Sequence, residues 1–420
     1  MNTVLIVDDD PLILDILEEK IQSKLKNIRI LKASNYKESI QHILNKDENI
    51  EVAVVDLCLP GVKNGIVVDF ALKKDIPTFV LTSDDSLETE KTLLEKPIVE
   101  YIRKNSDRNL DYAVKGIGRI LKNYDTNILI VDDSPLQLKT AVDMIKKMRL
   151  NITTAMDGKE AFDIIEKGDK KFSLVLTDYN MPNMDGMELT VKIREIYDKD
   201  ELGIIVLSIN DSPDVPTQFL RMGANDFINK PFTELEVSTR INSNLEILDL
   251  FQKTIDMANK DFLTGVFNRR YFFDSGQAIF SKANRKHLSV AVAMFDIDKF
   301  KNINDTYGHD IGDIAIKKTT EIINKNIRSS DLMARFGGEE FCILLEDISL
   351  EDTKKLFEKI RKSFEDNIVK VKDIEFGFTV SIGICYGVKE TLEDMINISD
   401  QELYKCKQNG RNQISVHVVE

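Results

Sequence analysis

The stretch Val4-Leu5-Ile6-Val7-Asp8-Asp9-Asp10-Pro11 joins a short apolar run to three acids. It recurs as Ile128-Leu129-Ile130-Val131-Asp132-Asp133-Ser134-Pro135. Each apolar run predicts a short strand, and longer amphipathic stretches such as Pro135 to Met148 predict helices between the strands. Short apolar strands that alternate with helices are typical of a parallel sheet covered by helices. The first 240 residues therefore predict two copies of one α/β fold.

The similarity between the two copies continues downstream. The matching pairs are Val54-Val55-Asp56 with Leu176-Thr177-Asp178, Phe79-Val80-Leu81-Thr82 with Ile205-Val206-Leu207-Ser208, and Tyr101-Ile102-Arg103-Lys104 with Phe227-Ile228-Asn229-Lys230. Acids at strand ends gather at the carboxyl edge of the sheet, where open α/β folds bind ligands. The chemistry these residue types suggest is aspartyl phosphorylation, in which three carboxylates hold Mg²⁺, one of them is the nucleophile, and a hydroxyl and a lysine contact the phosphoryl group.

Both copies resemble response-regulator receiver domains, which have a doubly wound, flavodoxin-like fold. The resemblance implies that Asp56 and Asp178 accept a phosphoryl group from a histidine kinase or phosphotransfer protein. It assigns the first metal and switch set to Asp8, Asp9, Asp56, Thr82 and Lys104, and the second to Asp132, Asp133, Asp178, Ser208 and Lys230. The alternative for each copy is a receiver-like fold that is never phosphorylated.

The first copy departs from the receiver pattern at two places. One extra residue precedes the glycine in the segment from Asp56 to Gly65, and Asn105 replaces the proline expected after Lys104. Lys96-Pro97 is not the missing motif, because no strand leads into it and the strand Glu100-Tyr101-Ile102 follows. These departures concern the geometry of the first site and leave its chemistry intact.

Two acidic segments stand out in the last third of the chain: Phe295-Asp296-Ile297-Asp298-Lys299-Phe300 and Arg335-Phe336-Gly337-Gly338-Glu339-Glu340-Phe341. The first follows an apolar run that predicts a buried strand, and the second predicts a hairpin with a Gly-Gly turn. If the two strands pair, their acids converge where Mg²⁺ could bind together with substrate phosphate. The glycines leave room for a triphosphate to approach the backbone. The segments thus outline a nucleotidyl-transfer site.

Residues 261–415 resemble a GGDEF-family diguanylate cyclase domain in its GGEEF variant, an α+β nucleotidyl-cyclase-like fold. Four segments carry the resemblance in the family's order: Asp261 to Arg270, Phe295 to Asp313, Gly337 to Phe341, and Lys407 to Asn412. The resemblance implies that Asp296, the Ile297 carbonyl and Glu339 hold Mg²⁺, with Mn²⁺ as an alternative. It gives the role of base to Glu339 and Glu340 together. Asp298 remains open between a neighbour of the metal and a polar residue that fixes the loop.

The resemblance also assigns the nucleotide contacts. Asn304 and Asp313 resemble the guanine-reading residues, since a carboxylate and an amide oxygen can accept from the donors of guanine. Lys301, Lys407 and Arg411 are candidates to balance the triphosphate. Arg328-Ser329-Ser330-Asp331 resembles the family's inhibitory product site, in which Arg328 and Asp331 would grip cyclic di-GMP.

The expected domain boundaries are residues 1–122 and 126–245 for the receivers, 246–260 for a helical linker and 261–420 for the cyclase domain. Apolar residues follow a roughly 4,3 spacing from Ile241 to Phe262. This spacing predicts a helix that continues from the second receiver. It leaves open a coiled coil or a single amphipathic helix lying on its own domain.

Composition limits the classes of function. The 420 residues carry a formal net charge of −14, so a broad positive surface for nucleic acid is not expected. No apolar run approaches the roughly 20 residues that a membrane span needs. Four cysteines without C-x-x-C spacing favour reduced thiols in a cytoplasmic protein.

The receiver–receiver–GGDEF resemblance covers nearly the whole chain. It implies a two-component response regulator that condenses two GTP into cyclic di-GMP and two pyrophosphates, as a homodimer formed on phosphorylation. One alternative is a catalytically silent cyclic di-GMP receptor or scaffold with receiver inputs. A transcription factor is disfavoured by the acidic balance and by the lack of a recognisable helix-turn-helix motif after the receivers.

Overall fold

A computed structural model describes residues 2–83, 96–209, 215–371 and 374–419. The chain divides into two compact units, Met1–Phe251 and Gln252–Glu420. The first unit contains two five-stranded sheets, and the second contains a six-stranded sheet and a two-stranded sheet. Among the described residues, no helix combines the length and apolar character needed to cross a bilayer.

The first sheet belongs to the first sequence copy. Its strands are β1 (Asn2–Val7), β2 (Ile28–Ala33), β3 (Ile50–Asp56), β4 (Thr78–Thr82) and β5 (Glu100–Arg103). The helices are α1 (Pro11–Lys24), α2 (Tyr36–Leu44), α3 (Ile66–Lys73) and α4 (Asp107–Asn123), with a 3₁₀ turn at Lys46–Glu48. All pairings are parallel, in the order β2-β1-β3-β4-β5. This is the doubly wound, flavodoxin-like order.

The second sheet repeats that topology. Its strands are β6 (Asn127–Val131), β7 (Asn151–Ala155), β8 (Leu174–Asp178), β9 (Gly203–Ile209) and β10 (Asp226–Lys230). The helices are α5 (Pro135–Ile145), α6 (Gly158–Lys167), α7 (Gly186–Arg194), α8 (Val215–Met222) and α9 (Glu234–Asn259), with a 3₁₀ turn at Lys146–Met148. The parallel order β7-β6-β8-β9-β10 matches the first sheet.

Local sequence explains why a helix begins directly after each acidic strand end. The side chain of Asp10 accepts a hydrogen bond from the Leu12 amide at the start of α1, and Ser134 does the same for the Gln137 amide at the start of α5. A proline follows each capping residue, in the first helical turn, where its missing amide proton costs no hydrogen bond. Each strand–acid–cap–proline sequence therefore turns the chain sharply and leaves its acids at the sheet edge.

The second unit has a mixed sheet. Its strands are β11 (Phe267–Asn268), β12 (Val290–Ile297), β13 (Leu332–Arg335), β14 (Glu340–Glu346), β17 (Val380–Tyr386) and β18 (Ile414–Val418), while β15 (Ile368–Val371) and β16 (Ile374–Gly377) form a separate hairpin. The helices are α10 (Arg269–Lys286), α11 (Phe300–Tyr307), α12 (His309–Asn324), α13 (Leu350–Glu365) and α14 (Leu392–Gln408). Strand β12 is buried along its full length and pairs antiparallel with both β14 and β17. Apolar clusters fill both faces of this sheet.

The expected fold class is confirmed: two doubly wound parallel sheets precede an α+β domain. The hairpin around Gly337 and its pairing with the Asp296 strand are also found. The helix that follows β5 begins at Asp107 because the Ser106 side chain caps it by accepting from the Asn109 amide. Residues 234–259 form one uninterrupted helix, as the apolar spacing after the second receiver predicted.

Candidate functional site

The first acidic pocket lies at the carboxyl edge of the β1 and β3 strands. Carboxylate oxygens of Asp8, Asp9 and Asp56 lie within 4.8 Å of one another, and Asp8 and Asp56 are buried. The Lys104 ammonium lies 2.6 Å from Asp8 and 2.9 Å from Asp56. Burial raises the pKa of Asp56, and the hydrogen bond from Lys104 only partly offsets this effect. Clustered oxygen donors of this kind fit Mg²⁺.

The second pocket repeats this arrangement with Asp132, Asp133 and Asp178, again within 4.8 Å. The Lys230 ammonium lies 2.6 Å from Asp178 and 3.4 Å from Asp132. It also donates to the Gln137 side chain at 2.6 Å. Burial is the largest cause of the raised pKa of Asp178. The two pockets therefore offer the same donor chemistry.

The hydroxyl residues lie at corresponding ends of neighbouring strands. Thr82 is the last residue of β4 and is buried, and Ser208 is buried near the end of β9. The departures in the first copy leave Lys104 in contact with both acids, although Asn105 stands in the proline position. The Asn105 side chain instead accepts from Asn109 in the first turn of α4. Neither departure separates the lysine from the carboxylates.

A third acidic pocket lies in the second unit, where β12 pairs with β14. The antiparallel register sets Asp296 directly opposite Glu340, and Glu339 occupies the turn just before β14. Directly opposed residues project from the same sheet face, where like charges repel. The Lys407 ammonium lies 2.7 Å from the Asp296 carboxylate. The strand pairing thus brings Glu340 next to Asp296, and Lys407 contacts Asp296 from the end of α14.

Both burial and neighbouring charges shift the pKa of Asp296. Burial, followed at a smaller level by repulsion from Glu339 and Glu340, raises the pKa of Asp296 from 3.8 to about 6, against the lowering effect of Lys407. Perturbed carboxylates of this kind are common at functional sites. A divalent cation would offset the repulsion, and the oxygen donors suit a hard ion.

The residues after Asp296 have different surroundings. Ile297 ends β12 with its side chain buried, so a contribution to a metal site would come from its main-chain carbonyl. Asp298 accepts from the Thr379 hydroxyl at 2.7 Å, the Ser381 hydroxyl at 2.6 Å and the Asn412 amide at 3.0 Å. Of the two interpretations of Asp298, its contacts favour the residue that fixes the loop.

The expected guanine-reading residues lie on consecutive helices. Asn304 is on α11, and Asp313 is exposed on α12. The amide oxygen of Asn304 is buried and, within the described part of the chain, has no hydrogen-bond partner. Such an orphaned acceptor is costly unless a ligand donates to it. Lys301 is exposed on the same helix as Asn304.

The remaining expected sites are the phosphate-contacting Arg411 and the product-binding pair Arg328 and Asp331. Arg411 is exposed and follows α14, three residues after its last residue, with a φ of +67°. Arg328 and Asp331 are joined at 2.7 Å by a hydrogen bond from the Arg328 amide to the Asp331 carboxylate, and both line two pockets. Burial raises the pKa of Asp331.

The structure adds a contact that the sequence motifs do not indicate. The Arg335 guanidinium donates to the Gly337 and Gly338 carbonyls and lies 2.9 Å from Asp261. Asp261 would have a raised pKa from burial alone, but hydrogen bonds from Thr264 and Arg335 outweigh burial and lower it. Arg335 therefore braces the Gly-Gly turn. A charged residue after the apolar run Leu332-Met333-Ala334 is the signal that could have identified it.

Comparisons with known families account for most of the chain. A model described as "Response regulator receiver domain" matches residues 4–114 and 128–242. A model described as "Diguanylate cyclase, GGDEF domain" matches residues 258–413. Together these matches include all three acidic pockets.

Individual relatives match most or part of the chain. "Response regulator PleD" from Caulobacter vibrioides is 25% identical over 415 residues, which cover 87% of this chain and 88% of that protein. "Diguanylate cyclase A" from Treponema denticola is 34% identical over 206 residues, covering 47% of this chain and 55% of that protein. A crystal structure titled as a putative two-component system response regulator/GGDEF domain protein is 32% identical, with a TM-score of 0.53, and covers 59% of this chain and 100% of that one. The chain therefore belongs to the response regulators and carries two receiver domains followed by a diguanylate cyclase GGDEF domain, the arrangement of PleD.

Proposed function

We propose that this diguanylate cyclase condenses two GTP into cyclic di-GMP with release of two pyrophosphates, under the control of receiver phosphorylation. The observation that carries the proposal is the β12–β14 register, which sets Asp296 opposite Glu340 beside Lys407. Asp296, Glu339 and the Ile297 carbonyl would hold Mg²⁺, or Mn²⁺ in its place. When bound, the cation would offset the negative charge that develops on the phosphate oxygens.

The side chains of the pocket would bind and orient GTP. Glu339 and Glu340 together would take the proton from the attacking 3′-hydroxyl, which requires a carboxylate within hydrogen-bond reach. Lys407 and Arg411, with Lys301, would contact the triphosphate. Lys407 already lies against Asp296, so it would exchange a carboxylate for phosphate oxygens as the nucleotide enters.

Guanine recognition would use Asn304 and Asp313. The amide oxygen of Asn304, which has no hydrogen-bond partner among the described residues, supports this role, because guanine brings N–H donors that could pair with it. Adenine has no N–H donor at N1 or C2, so in the same orientation it would leave this acceptor unpaired, at a cost of about 1–3 kcal/mol for a buried polar group. The proposed site is therefore selective for guanine through the cost of an unmet hydrogen bond.

Gly312→Ala should test this role of Asn304. A Cβ atom at Gly312 would lie 1.9 Å from the Asn304 amide oxygen, so the side chain must turn away. We expect the KM for GTP to rise about tenfold, the factor equivalent to about 1.4 kcal/mol. The free energy of unfolding should change little, because the better helix propensity of alanine, about 1 kcal/mol, offsets the cost of turning the Asn304 side chain. Steady-state kinetics would measure the change, with Lys317→Ala on the exposed side of α12 as the control. An unchanged KM would remove Asn304 from guanine recognition.

The reaction requires two copies of the chain. Each cyclase domain would hold one GTP, and its 3′-hydroxyl would attack the α-phosphorus of the GTP on the facing domain. A histidine kinase or phosphotransfer protein would phosphorylate Asp56 or Asp178, with Lys104 or Lys230 offsetting the added charge and Thr82 or Ser208 contacting the phosphoryl group. Phosphorylation would favour a symmetric homodimer and so raise the effective concentration of one half-site at the other.

Product would bind at a separate place on the cyclase domain. Arg328 and Asp331 lie together beside two pockets, and an arginine can make paired hydrogen bonds to a guanine edge or a phosphate. Cyclic di-GMP held there would keep the catalytic domains apart and inhibit the enzyme.

Phosphoryl control is tested by matched substitutions of the two acceptors. We expect beryllofluoride, a phosphoryl mimic, to stimulate cyclic di-GMP formation by the wild type by at least about tenfold, since dimerisation raises effective concentration by large factors. Asp56→Asn and Asp178→Asn remove one acceptor each, and loss of stimulation in one variant would identify the controlling receiver. Chromatographic detection of cyclic di-GMP from GTP and Mg²⁺ provides the measurement. Activity that beryllofluoride leaves unchanged in the wild type and both variants would reject control by phosphorylation. Absence of cyclic di-GMP under all conditions would reject the condensation reaction.

A further inference from the structure

Arg361 on α13 lies outside the sequence motifs, yet its guanidinium contacts three polar side chains. Its guanidinium lies 2.8 Å from Glu358 and 2.9 Å from Glu365, both on the same helix. It also donates to the Asn412 amide oxygen at 2.7 Å, and its side chain is only 12% exposed. Ion pairs within a helix add a few tenths of a kcal/mol. The long-range contact with Asn412 therefore distinguishes Arg361 from an ordinary helix-surface arginine.

Asn412 makes three hydrogen bonds to residues outside its own turn. Besides accepting from Arg361, it donates through its side chain to Glu365 at 3.2 Å and through its main-chain amide to Asp298 at 3.0 Å. Asn412 and Arg411 both have positive φ angles, +47° and +67°. Asparagine tolerates this region, whereas an arginine adopts it only where its surroundings compensate for the strain. The contacts of Asn412 supply such compensation.

The segment from Lys407 to Asn412 contacts the end of β12 and the residue after it at two points. Asp298, which anchors the Asn412 amide, lies two residues after Asp296, while Arg411 directly precedes Asn412. Lys407 at the end of α14 contacts Asp296 itself. A change at Asn412 would therefore alter where Arg411 and the end of α14 stand relative to Asp296.

We propose that Arg361 is a positioning residue for GTP binding, which acts through Asn412 to hold Arg411 and Lys407 at the triphosphate. The inference rests on the proposed function, because it assumes that these two cations contact phosphate. Arg361 itself would touch no substrate. It would lock the strained turn after α14, so that both cations are in place before the nucleotide arrives and less ordering is required on binding.

The test compares Arg361→Gln with Lys355→Gln in the full-length chain. Lys355 is on the same helix and pairs with Glu351, but both side chains are well exposed. The probe is 3′-deoxy-GTP with Mg²⁺, which can bind but lacks the hydroxyl needed for condensation. For Arg361→Gln we expect about tenfold weaker binding of this probe and about a tenfold higher KM for GTP, with a smaller change in kcat, as for loss of one charge-assisted hydrogen bond. Lys355→Gln should stay within about twofold of the wild type.

A second pair of variants separates positioning from simple loss of structure. Asn412→Gly removes the amide but tolerates the positive φ, and it should weaken probe binding as Arg361→Gln does. The double variant should bind no worse than either single variant, because both remove one contact. Arg361→Lys should recover part of the affinity. Probe affinity of Arg361→Gln within twofold of the control, or additive losses in the double variant, would overturn the inference. A wild type that binds 3′-deoxy-GTP without making cyclic di-GMP from GTP would instead overturn the proposed function, and one that binds no probe would overturn both.

Discussion

Asp296→Asn is expected to reduce cyclic di-GMP synthesis by at least about a hundredfold to a thousandfold, the range seen when one preorganised electrostatic contact is removed from an active site. Asparagine keeps the shape of the side chain but loses the charge that would hold the cation and that pairs with Lys407 at 2.7 Å. The initial rate of product formation at saturating GTP and Mg²⁺ measures the effect.

The same substitution should stabilise the protein when no divalent cation is present. The pKa of Asp296 is about 6 in the folded chain against an ordinary value of 3.8, chiefly because of burial. An acid whose pKa is raised by folding costs no stability below about pH 3.8, where it is protonated in both states. The cost grows as the pH rises from 3.8 to 6, and above pH 6 it is constant at about 3 kcal/mol. Asparagine avoids this cost, so the gain should be present at pH 7.5 and absent near pH 4.

Asp298→Asn is the matched control, two residues further along. Asp298 accepts three hydrogen bonds from Thr379, Ser381 and Asn412, and an amide group cannot accept all three in the same geometry. This variant should therefore lose stability at pH 7.5. Hydrogen exchange of the β12 amides in urea would compare both variants with the wild type. If Asp296→Asn and the wild type were equally stable at pH 7.5 without Mg²⁺, the ionised Asp296 carboxylate would not lower the stability of the folded chain, contrary to this prediction.

The receiver pockets could be predicted from local sequence because a parallel sheet leaves little freedom. Asp8 directly follows β1 and Asp56 ends the neighbouring β3, so the topology alone brings their carboxylates to one edge. Lys104 follows β5 at the same edge and reaches both acids. Even the extra residue before Gly65 changes nothing there, since an insertion in a loop does not alter where the strands end.

The cyclase pocket was less predictable because its geometry depends on strand register. In an antiparallel pair a slip of one residue moves every side chain to the other face. The sequence Glu339-Glu340 therefore could not reveal which acid would face Asp296, and the structure sets Glu340 opposite it. Contacts over long sequence separations were beyond reach for the same reason. Arg335 with Asp261 and Arg361 with Asn412 join segments that no local pattern connects.

Gly383→Ala is expected to destabilise the cyclase domain more than either Gly312→Ala or Gly377→Ala. Gly383 lies in β17, paired with Met294 of β12 and Ser415 of β18. A Cβ atom there would lie 2.1 Å from both the Leu403 amide nitrogen and the Ser399 carbonyl oxygen of α14. These are main-chain atoms of a helix packed on the sheet, so relief requires α14 to move as a body. We expect a loss of at least about 3 kcal/mol, the upper range for overpacking a core.

The loss should extend to function because α14 carries Lys407, which contacts Asp296. Displacing the helix by even about 1 Å would misplace this cation, a shift that can cost about a hundredfold in rate. Gly377→Ala on β16 is the control, since the nearest atom to its added Cβ would be the Asn367 carbonyl oxygen at 3.8 Å, an ordinary contact. Urea unfolding followed by hydrogen exchange of cyclase-domain peptides would resolve the two variants. If Gly383→Ala and Gly377→Ala unfolded at the same urea concentration, close packing of α14 on β17 would be contradicted. The proposal that this packing positions Lys407 beside Asp296 would then fail as well.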